Sequence, residues 1–519
     1  MFSINLNQKK KALEPLIATI LLIVVSVILV TIVLTWGKNF SVEELNKTNN
    51  IIYVKSDISN YIQYKTRSNT TSENNILEIK NIHPTETATI VGYKILSPNS
   101  KFRFLDDYQF SLDENATLSP GQSIFLGLAC TPEQTFNVEL LTSDSKYIFI
   151  KYNSLNSSPA SCIKDMDFGW HHACVVLATG KVKCWGRNDN GQLGDGTIAQ
   201  KKIPIEVLDI NSGVAITAGD LHTCVVLSSG EIKCFGDNPY GQLGNQNTTD
   251  SNFPVTVLGI NNAIKVSGGC WHTCALLNTG EINCWGANTN GQLGNGTKTN
   301  SLIPVSVIDS NNDIITNFVD VKVGCTNSCA LLNNGQIMCW GNNQYGKLGD
   351  GTTTDKNTAT PVLNVENAMQ ISIGSEYGGC LREHNGTVKC WGRNNFGQIG
   401  DGTNTDQNTP TQVLQITDAI DIDSGNGHNC AVLSNNELKC WGQNSAGQLG
   451  DDTWVNKSVP TTTVNLIDSK DVVLGDEFSC VKSIYGELRC FGSNGQGQLG
   501  LGNTTASKVP LDINNSFYD

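Results

Sequence analysis

Positive charge is scarce in this chain: 35 Lys and Arg stand against 48 Asp and Glu among 519 residues, a net charge of −13. Apart from Lys9, Lys10 and Lys11, the basic residues form no stripe. Binding to a phosphate backbone needs clustered Lys and Arg, so nucleic-acid partners are excluded. Metal and catalytic patterns are missing as well. Histidine occurs seven times in all, and no segment gathers four ligands at zinc spacing. Acidic loops such as NDNGQLGDG lack the bidentate Glu of a calcium loop. The recurrent Gly-Gln-Leu-Gly has no strand-to-helix context, which makes it a turn and not a phosphate cradle. No nucleophile stands beside a base at a diagnostic spacing, so no catalytic residue, cofactor or metal is expected.

Cysteine, by contrast, is plentiful and periodic. Fourteen of the 18 cysteines form pairs with nine intervening residues: Cys174/Cys184, Cys224/Cys234, Cys274/Cys284, Cys329/Cys339, Cys380/Cys390, Cys430/Cys440 and Cys480/Cys490. The unit advances by 50 residues, stretched to 55 once and 51 once, and a period of about 50 marks an array or a propeller. Within CVVLATGKVKCWG, pairing Cys174 with Cys184 also pairs Val176 with Val182 and leaves Ala178, Thr179 and Gly180 as a hairpin turn. Such a turn needs one residue at positive φ. That position holds Gly180, Gly230, Gly280, Gly335, Gly386, Asn436 and Gly486, and Asn is the non-glycine residue best suited to it. Each cysteine pair then faces itself across two strands, placed for a disulfide in an oxidising compartment. Buried reduced thiols are the alternative.

The segments GWHHACVVLATGKVKCWGRNDNGQLGDGT, GDLHTCVVLSSGEIKCFGDNPYGQLG and GGCWHTCALLNTGEINCWGANTNGQLG resemble the repeats of the regulator of chromosome condensation family. The resemblance covers residues 162–519 and implies an all-β, seven-bladed propeller of four-stranded antiparallel sheets around a central channel. KVPLDI, Lys508 to Ile513, matches IPIEVLDI and FPVTVLGI of earlier units, so the last strand is expected to complete the first blade and shut the ring. The family's best-known member exchanges nucleotide on a nuclear GTPase and binds chromatin, roles the acidic balance of this chain disfavours. Secreted relatives, among them a bacterial inhibitor of β-lactamases, bind proteins through loops on one face.

The N-terminus carries the one long apolar run, 21 uncharged residues from Leu16 to Trp36. That length spans a bilayer. Lysines before it hold that end in the cytoplasm, so the chain beyond Gly37 is expected outside. A cleaved secretory signal fits less well, because the run is long and lacks a small-residue cleavage site. KKKALEPLIATILLIVVSVILVTIVLTWG is similar to the start of archaeal type IV pilins. That resemblance implies cleavage between Ala12 and Leu13, leaving Glu14 near the new terminus, and pilin subunits as partners. A plain one-pass anchor is the alternative. The expected organisation is therefore a leader, 1–12; a transmembrane or pilin-like helix, 13–37; a stalk and small β-sandwich-like domain, 38–160; and the propeller, 161–519. Alternating apolar runs at 76–82, 87–96, 122–130 and 146–152 support the third of these.

Four cysteines lie outside the ladder, and they allow three pairings. Cys270 and Cys325 each sit four residues before a ladder cysteine of adjacent units and are placed to tie those blades together. Cys130 and Cys162 remain as the other pair. About eleven Asn-X-Ser/Thr triplets, including Asn247, Asn295, Asn385, Asn456 and Asn503, suit an extracellular chain with glycosylated loops.

His172, His222, His272 and His428 recur two residues before a ladder cysteine, replaced elsewhere by Asn327, Gly378 and Phe478. Ringing the channel to hold a metal is one use, but the family resemblance implies a scaffold role. Binding is easier to place. Trp170, His171, Leu221, Trp271, Tyr377 and Phe478 lie just ahead of the strands taken as innermost, and they form a candidate rim for a protein or glycan ligand. Packing between blades is the alternative for each. Tyr240, Tyr345 and Phe396 form a second candidate set, assigned to the opposite loops. The insertion around Asn311 to Asn317 has no evident role. Two functional classes remain: a binding or adhesion module held at the cell surface or on a pilus, or an extracellular enzyme or enzyme inhibitor held at the membrane.

Overall fold

The computed structural model describes residues 163–484 and 486–513 in full, and the backbone of seven strands between residues 62 and 153. Ala12, Leu13, Glu14, the apolar run, Cys130 and Cys162 lie outside the described residues. Among the described residues no helix is long and apolar enough to cross a membrane. The chain divides into two compact units.

In the first unit, Ile62–Asn69, Ser72–Asn81 and Ser123–Gly127 form one sheet. A second sheet has the order Ala116–Leu118, Ala88–Leu96, Thr135–Thr142, Tyr147–Asn153. These strands take up the apolar alternations expected of 76–82, 87–96, 122–130 and 146–152.

The second unit is a ring of seven antiparallel sheets, each made of four consecutive strands. Blade I comprises Ile163–Phe168, His172–Leu177, Val182–Gly186 and Lys201–Glu206. The first strands of blades II to VII are Gly213–Ala218, Ala263–Gly268, Phe318–Val323, Ala368–Ile373, Ala419–Ser424 and Ser469–Leu474. These first strands, and not the ladder strands, line the channel; the ladder occupies strands two and three. The expectation of an innermost ladder fails because the short strand ahead of it carries no cysteine to announce it.

The hairpin register is as the spacing dictates. Cys174 faces Cys184, Val176 faces Val182 and Val175 faces Lys183. Gly180 turns at φ 80° and Asn436 at φ 64°. All seven ladder pairs are disulfides, with Cα atoms 4.0 to 4.2 Å apart: Cys174 with Cys184, Cys224 with Cys234, Cys274 with Cys284, Cys329 with Cys339, Cys380 with Cys390, Cys430 with Cys440 and Cys480 with Cys490. Cys270 is joined to Cys325 between blades III and IV. The ladder sulfurs are core atoms and no part of a surface site. Cys234, Cys284, Cys339 and Cys490 on the third strands are completely buried, because each hairpin turns this face toward a neighbouring blade.

Packing is between blades. Each core cluster mixes two neighbours: Val176, Val182, Leu193 and Val207 of blade I meet Ile216, Val225 and Phe235 of blade II. The aromatic residue after the second ladder cysteine is buried in this seam. Where it is Trp, its indole N–H donates to a carbonyl of the preceding blade: Trp285 to Gln242 O at 2.8 Å, Trp340 to Gln292 O at 2.9 Å. A buried indole needs such a partner. Phe235 and Phe491 fill the same slot without one.

Ring closure differs from the expectation. Ser507–Asp512 pairs with Leu488–Gly492 as the fourth strand of blade VII, while blade I has its own fourth strand, Lys201–Glu206, paired with Val182–Gly186. The chain enters the ring at an inner strand, so every blade is complete and none is shared. Blades VII and I instead meet through Phe168, Met166, Trp185, Phe478, Leu488 and Ile513. Hydrogen bonds across this joint include Trp185 Nε1 to Gln498 O at 2.8 Å, Gly502 N to Lys202 O at 2.9 Å and Gln498 Nε2 to His171 Nδ1 at 3.4 Å.

Candidate functional site

The open edge of each inner strand presents N–H groups that no further strand can pair. Side chains of the preceding blade take them instead. Asp165 Oδ2 accepts from Ile216 N at 2.9 Å, and Asp167 Oδ2 from Ala218 N at 2.9 Å. Thr217 Oγ1 accepts from Gly268 N at 2.7 Å, Ser267 Oγ from Val323 N at 3.1 Å and Ser372 Oγ from Ser424 N at 3.0 Å. Asp421 and Asp423 bind Val472 N and Leu474 N at 2.8 and 2.7 Å. The polar alternation of IKDMDF and AIDIDS is therefore an inter-blade latch.

One cation lies among several of these acids. Lys322 projects into the channel, and Asp423, Asp320, Asp167 and Asp165 hold its ammonium above the ordinary lysine range despite burial. Burial pushes Asp167 and Asp421 up to about 6. The channel widens on one side into a cavity of 250 Å³ lined by Asp165, Gln370, Asp421, Asp471 and Lys482. On the other it narrows to 70 Å³ beneath Trp170, Asp220, Cys270, Ser375 and Asp476. At this narrow mouth burial raises Asp220 to about 7, with the Asp476 charge adding to it, and burial likewise raises Asp476 to about 7. Among the described residues no three His, Cys, Asp or Glu converge to hold a metal.

The recurrent histidines are structural. His172 Nε2 lies 2.9 Å from Thr223 Oγ1 of the next blade, and that hydroxyl donates to Gln192 O at 2.8 Å. The hydroxyl proton is thus committed to the carbonyl, which fixes Nε2 as the donor to the hydroxyl oxygen. His222 with Thr273, His272 with Ser328 and His428 with Ser479 repeat the arrangement at 2.8 to 2.9 Å. Burial lowers these four histidines to about 3 or 4, so they are neutral. Thr223, Thr273, Ser328 and Ser479, each immediately before the first ladder cysteine of its blade, are the sequence signal of this arrangement.

The loops after the third strands are self-satisfied in the same way. Asn188 Nδ2 donates to Asp195 Oδ1, Thr197 O and Ala199 O, each at 3.1 Å, and Asn188 Oδ1 accepts from Leu193 N at 3.0 Å. An amide sits where a loop cation would.

The rim residues fall into three groups. Trp170 is 37% exposed and stacks on His171 with centroids 4.9 Å apart. Arg187 lies 5.8 Å over Trp170. Burial lowers His171 to about 4. Trp271 packs edge-on against Tyr240 at 6.2 Å, and Tyr377 against Phe396 at 5.9 Å. Leu221 is half-buried. Phe478 does not belong to the rim: it is fully buried, 5.6 Å from Phe168 in the closing seam. It occupies the slot that holds His172 in blade I, which points between blades.

Tyr240, Tyr345 and Phe396 are not on an opposite face. In an antiparallel blade the turns after strands one and three emerge at the same end, and the Tyr240–Trp271 and Tyr377–Phe396 contacts show it. The two candidate sets merge into one aromatic face around the acidic mouth. The insertion is a compact loop: Asp309 Oδ1 accepts from Asn311 N and Asp313 N at 2.8 and 2.9 Å.

A family model described as the RCC1-like domain matches residues 198–518. The chain belongs to the RCC1-like domain family. A second model, the regulator of chromosome condensation (RCC1) repeat, matches residues 163–192. Human HERC4, named a probable E3 ubiquitin-protein ligase, is 33% identical over 119 residues, 22% of this chain and 11% of that protein. Human HERC2, an E3 ubiquitin-protein ligase, is 32% identical over 100 residues, 19% of this chain and 2% of that protein. The match thus spans about a tenth or less of these relatives. Among solved structures, yeast RCC1 (Prp20), crystallised with Kap60, superposes with a TM-score of 0.57 at 18% identity, covering 68% of this chain and 85% of that one. Human WBSCR16 gives 0.55 at 19% identity, covering 75% and 96%. At such identities the likeness is one of fold.

Proposed function

We propose that this RCC1-like propeller is a binding module displayed outside the cell, whose turn face recognises a protein or glycan and which performs no catalytic step. The observation that carries it is the convergence of both aromatic loop sets on one end of the ring, with Trp170, Tyr240 and Trp271 each more than a third exposed. Large apolar groups crowded on one surface and rimmed by charge are what an interaction face needs. Eight disulfides in the described propeller favour an oxidising compartment. The apolar run after Lys9–Lys11 supplies the anchor, pilin-like if cut after Ala12, with a β-sandwich-like domain after it and glycans on exposed Asn247, Asn385, Asn456 and Asn503. The yeast relative's structure with Kap60 is an instance of an RCC1 propeller in a protein complex.

The test is made on the chain as its own cells produce it. Impermeant biotin should label it on intact cells, mass mapping should find a mature terminus at Leu13, and its thiols should be blocked. Partner capture from the cell surface should fall when Trp170 and Trp271 are both changed to Ala. A cytosolic chain with free thiols overturns the reading.

A further inference from the structure

Six blades share one turn length at the mouth, and the departures in blade V and its neighbour collect around one residue, Arg393. The turn between the first two strands of blade V has four residues, Gly374 to Tyr377, where the other blades have three. Gly378 and Gly379 follow, with no side chain to make the inter-blade bonds that His172 and Thr223 make. The space this leaves is a pocket of about 10 Å³, room for one water, lined by Tyr377, Arg393, Gln398, Gly427 and His428. Across the seam, Tyr345 of blade IV adopts φ 66°, a left-handed conformation that is an outlier for a bulky residue.

These departures hold a guanidinium between two phenol rings. The Arg393 guanidinium carbon lies 4.7 Å from the Tyr345 centroid and 5.1 Å from that of Tyr377, and Arg393 N donates to Tyr377 O at 2.7 Å. Blade I provides the internal comparison. Arg187 stands at the equivalent position, and its Nε meets Asp189 Oδ2 at 2.9 Å. Blade V has Asn395 in place of Asp189, so no carboxylate pairs with Arg393 among the described residues. Both rings lie against the guanidinium, and its side-chain N–H donors, without a partner among the described residues, are left for a ligand. The hydroxyls of Tyr345 and Tyr377 have no hydrogen-bond partner among the described residues either.

We propose that Arg393, Tyr345 and Tyr377 form a carboxylate-binding site that takes a single acidic side chain or chain terminus of a partner protein. This rests on the binding role of the turn face and names part of what that face reads. A planar guanidinium matches a carboxylate with two parallel hydrogen bonds, and phenol hydroxyls add donors. The surroundings select against a polyanion. Asp220, Glu376, Asp476 and Glu477 all stand around the mouth, so a polymer of acidic sugars meets like charge on every side. A protein segment brings its own cations for those acids beside the one carboxylate that Arg393 requires.

The full chain, solubilised in detergent, is titrated with N-acetylglycinate as the carboxylate probe. N-acetylglycinamide is the uncharged control and glucuronate the sugar arm, with binding read by saturation-transfer NMR. The expected result is saturable transfer to N-acetylglycinate with a dissociation constant on the order of 1 mM. Arg393→Gln should weaken it about tenfold and Tyr377→Phe about threefold. Lys181→Gln, on the other face, should leave it unchanged. Equal transfer to the amide, indifference to Arg393→Gln, or tighter binding of glucuronate than of N-acetylglycinate each overturns the proposal. Surface-partner capture that survives Arg393→Gln sinks this site alone; carboxylate binding by a chain found inside the cell sinks only the display reading.

Discussion

Phe168, from the first inner strand, and Phe478, from the last blade, lie with ring centroids 5.6 Å apart, and this contact between the two ends of the propeller sequence is the ring's clasp. Phe478→Ala removes a fully buried ring and should cost about 3 to 5 kcal/mol. Hydrogen exchange checks where. Protection should fall first in Ile163–Phe168 and Ser469–Leu474, with blades III and IV little changed; a uniform loss round the ring would show that the clasp is not the weak joint.

Lys322 answers the channel acids Asp423, Asp320, Asp167 and Asp165. Lys322→Met should destabilise the protein by about 2 to 4 kcal/mol at pH 7, because buried carboxylates lose their counter-charge. The lysine is charged throughout the acidic and neutral range, so the pH dependence belongs to the acids. Asp167 and Asp421 take up protons near 6, and denaturation at pH 5 should show a smaller deficit than at pH 7.

The four inter-blade histidines set an acid limit. Their folded values of about 3 or 4 lie below the usual 6.5. The unfolded chain therefore binds more protons below 6.5, and stability present above that pH is lost as pH falls toward the folded values. His222→Phe copies the natural choice at Phe478. It should cost about 1 kcal/mol at pH 7 by leaving Thr273 without its donor, yet decline less steeply than the parent between pH 6 and 4 in urea titrations.

Asp220 acts with the opposite sign. Its folded value of about 7 stands above the usual 3.8, so the folded chain holds a proton the unfolded chain has released, and stability rises as pH falls from 7 toward 4. Asp220→Asn should raise the melting temperature at pH 7.5 and make no difference at pH 5. A variant less stable at both values would mean that the carboxylate is needed in its charged form.

The cross-blade disulfide closes a far longer loop than the ladder ones, 55 residues against 10. In the chain-entropy model the first is worth about 4 kcal/mol and the second about 3. Changing Cys270 and Cys325 together to Ser should lower the melting temperature more than changing Cys430 and Cys440, measured by calorimetry on the oxidised protein.

The hairpins were legible because their information is local: a Cys-to-Cys spacing, one residue at positive φ, and Asn436 as the informative exception. Face and depth were not, because they depend on counting strands. The polar dyads of the inner strands, Asp165 and Asp167 or Asp421 and Asp423, carry no cysteine, and overlooking that strand shifted both the innermost layer and the parity of the loops. Tyr345 and Tyr377 were thereby assigned to opposite faces although both rings touch Arg393. Phe478 was misplaced for a simpler reason. Its alignment with His172 already assigned it to the seam, and aromatic character outweighed register. The Arg393 site was invisible because it is defined by a missing acid, Asn395 for Asp189, which matters only once the rings are known to enclose it.

Since all seven sheets are built from contiguous sequence, the order in which they are strung is not what makes the ring. A gene rewired to begin at blade III or blade V, with a linker across the old ends, would still encode seven intact sheets. The clasp of Phe168 and Phe478 would then become an ordinary internal seam, and a new one would open wherever the rewired chain began.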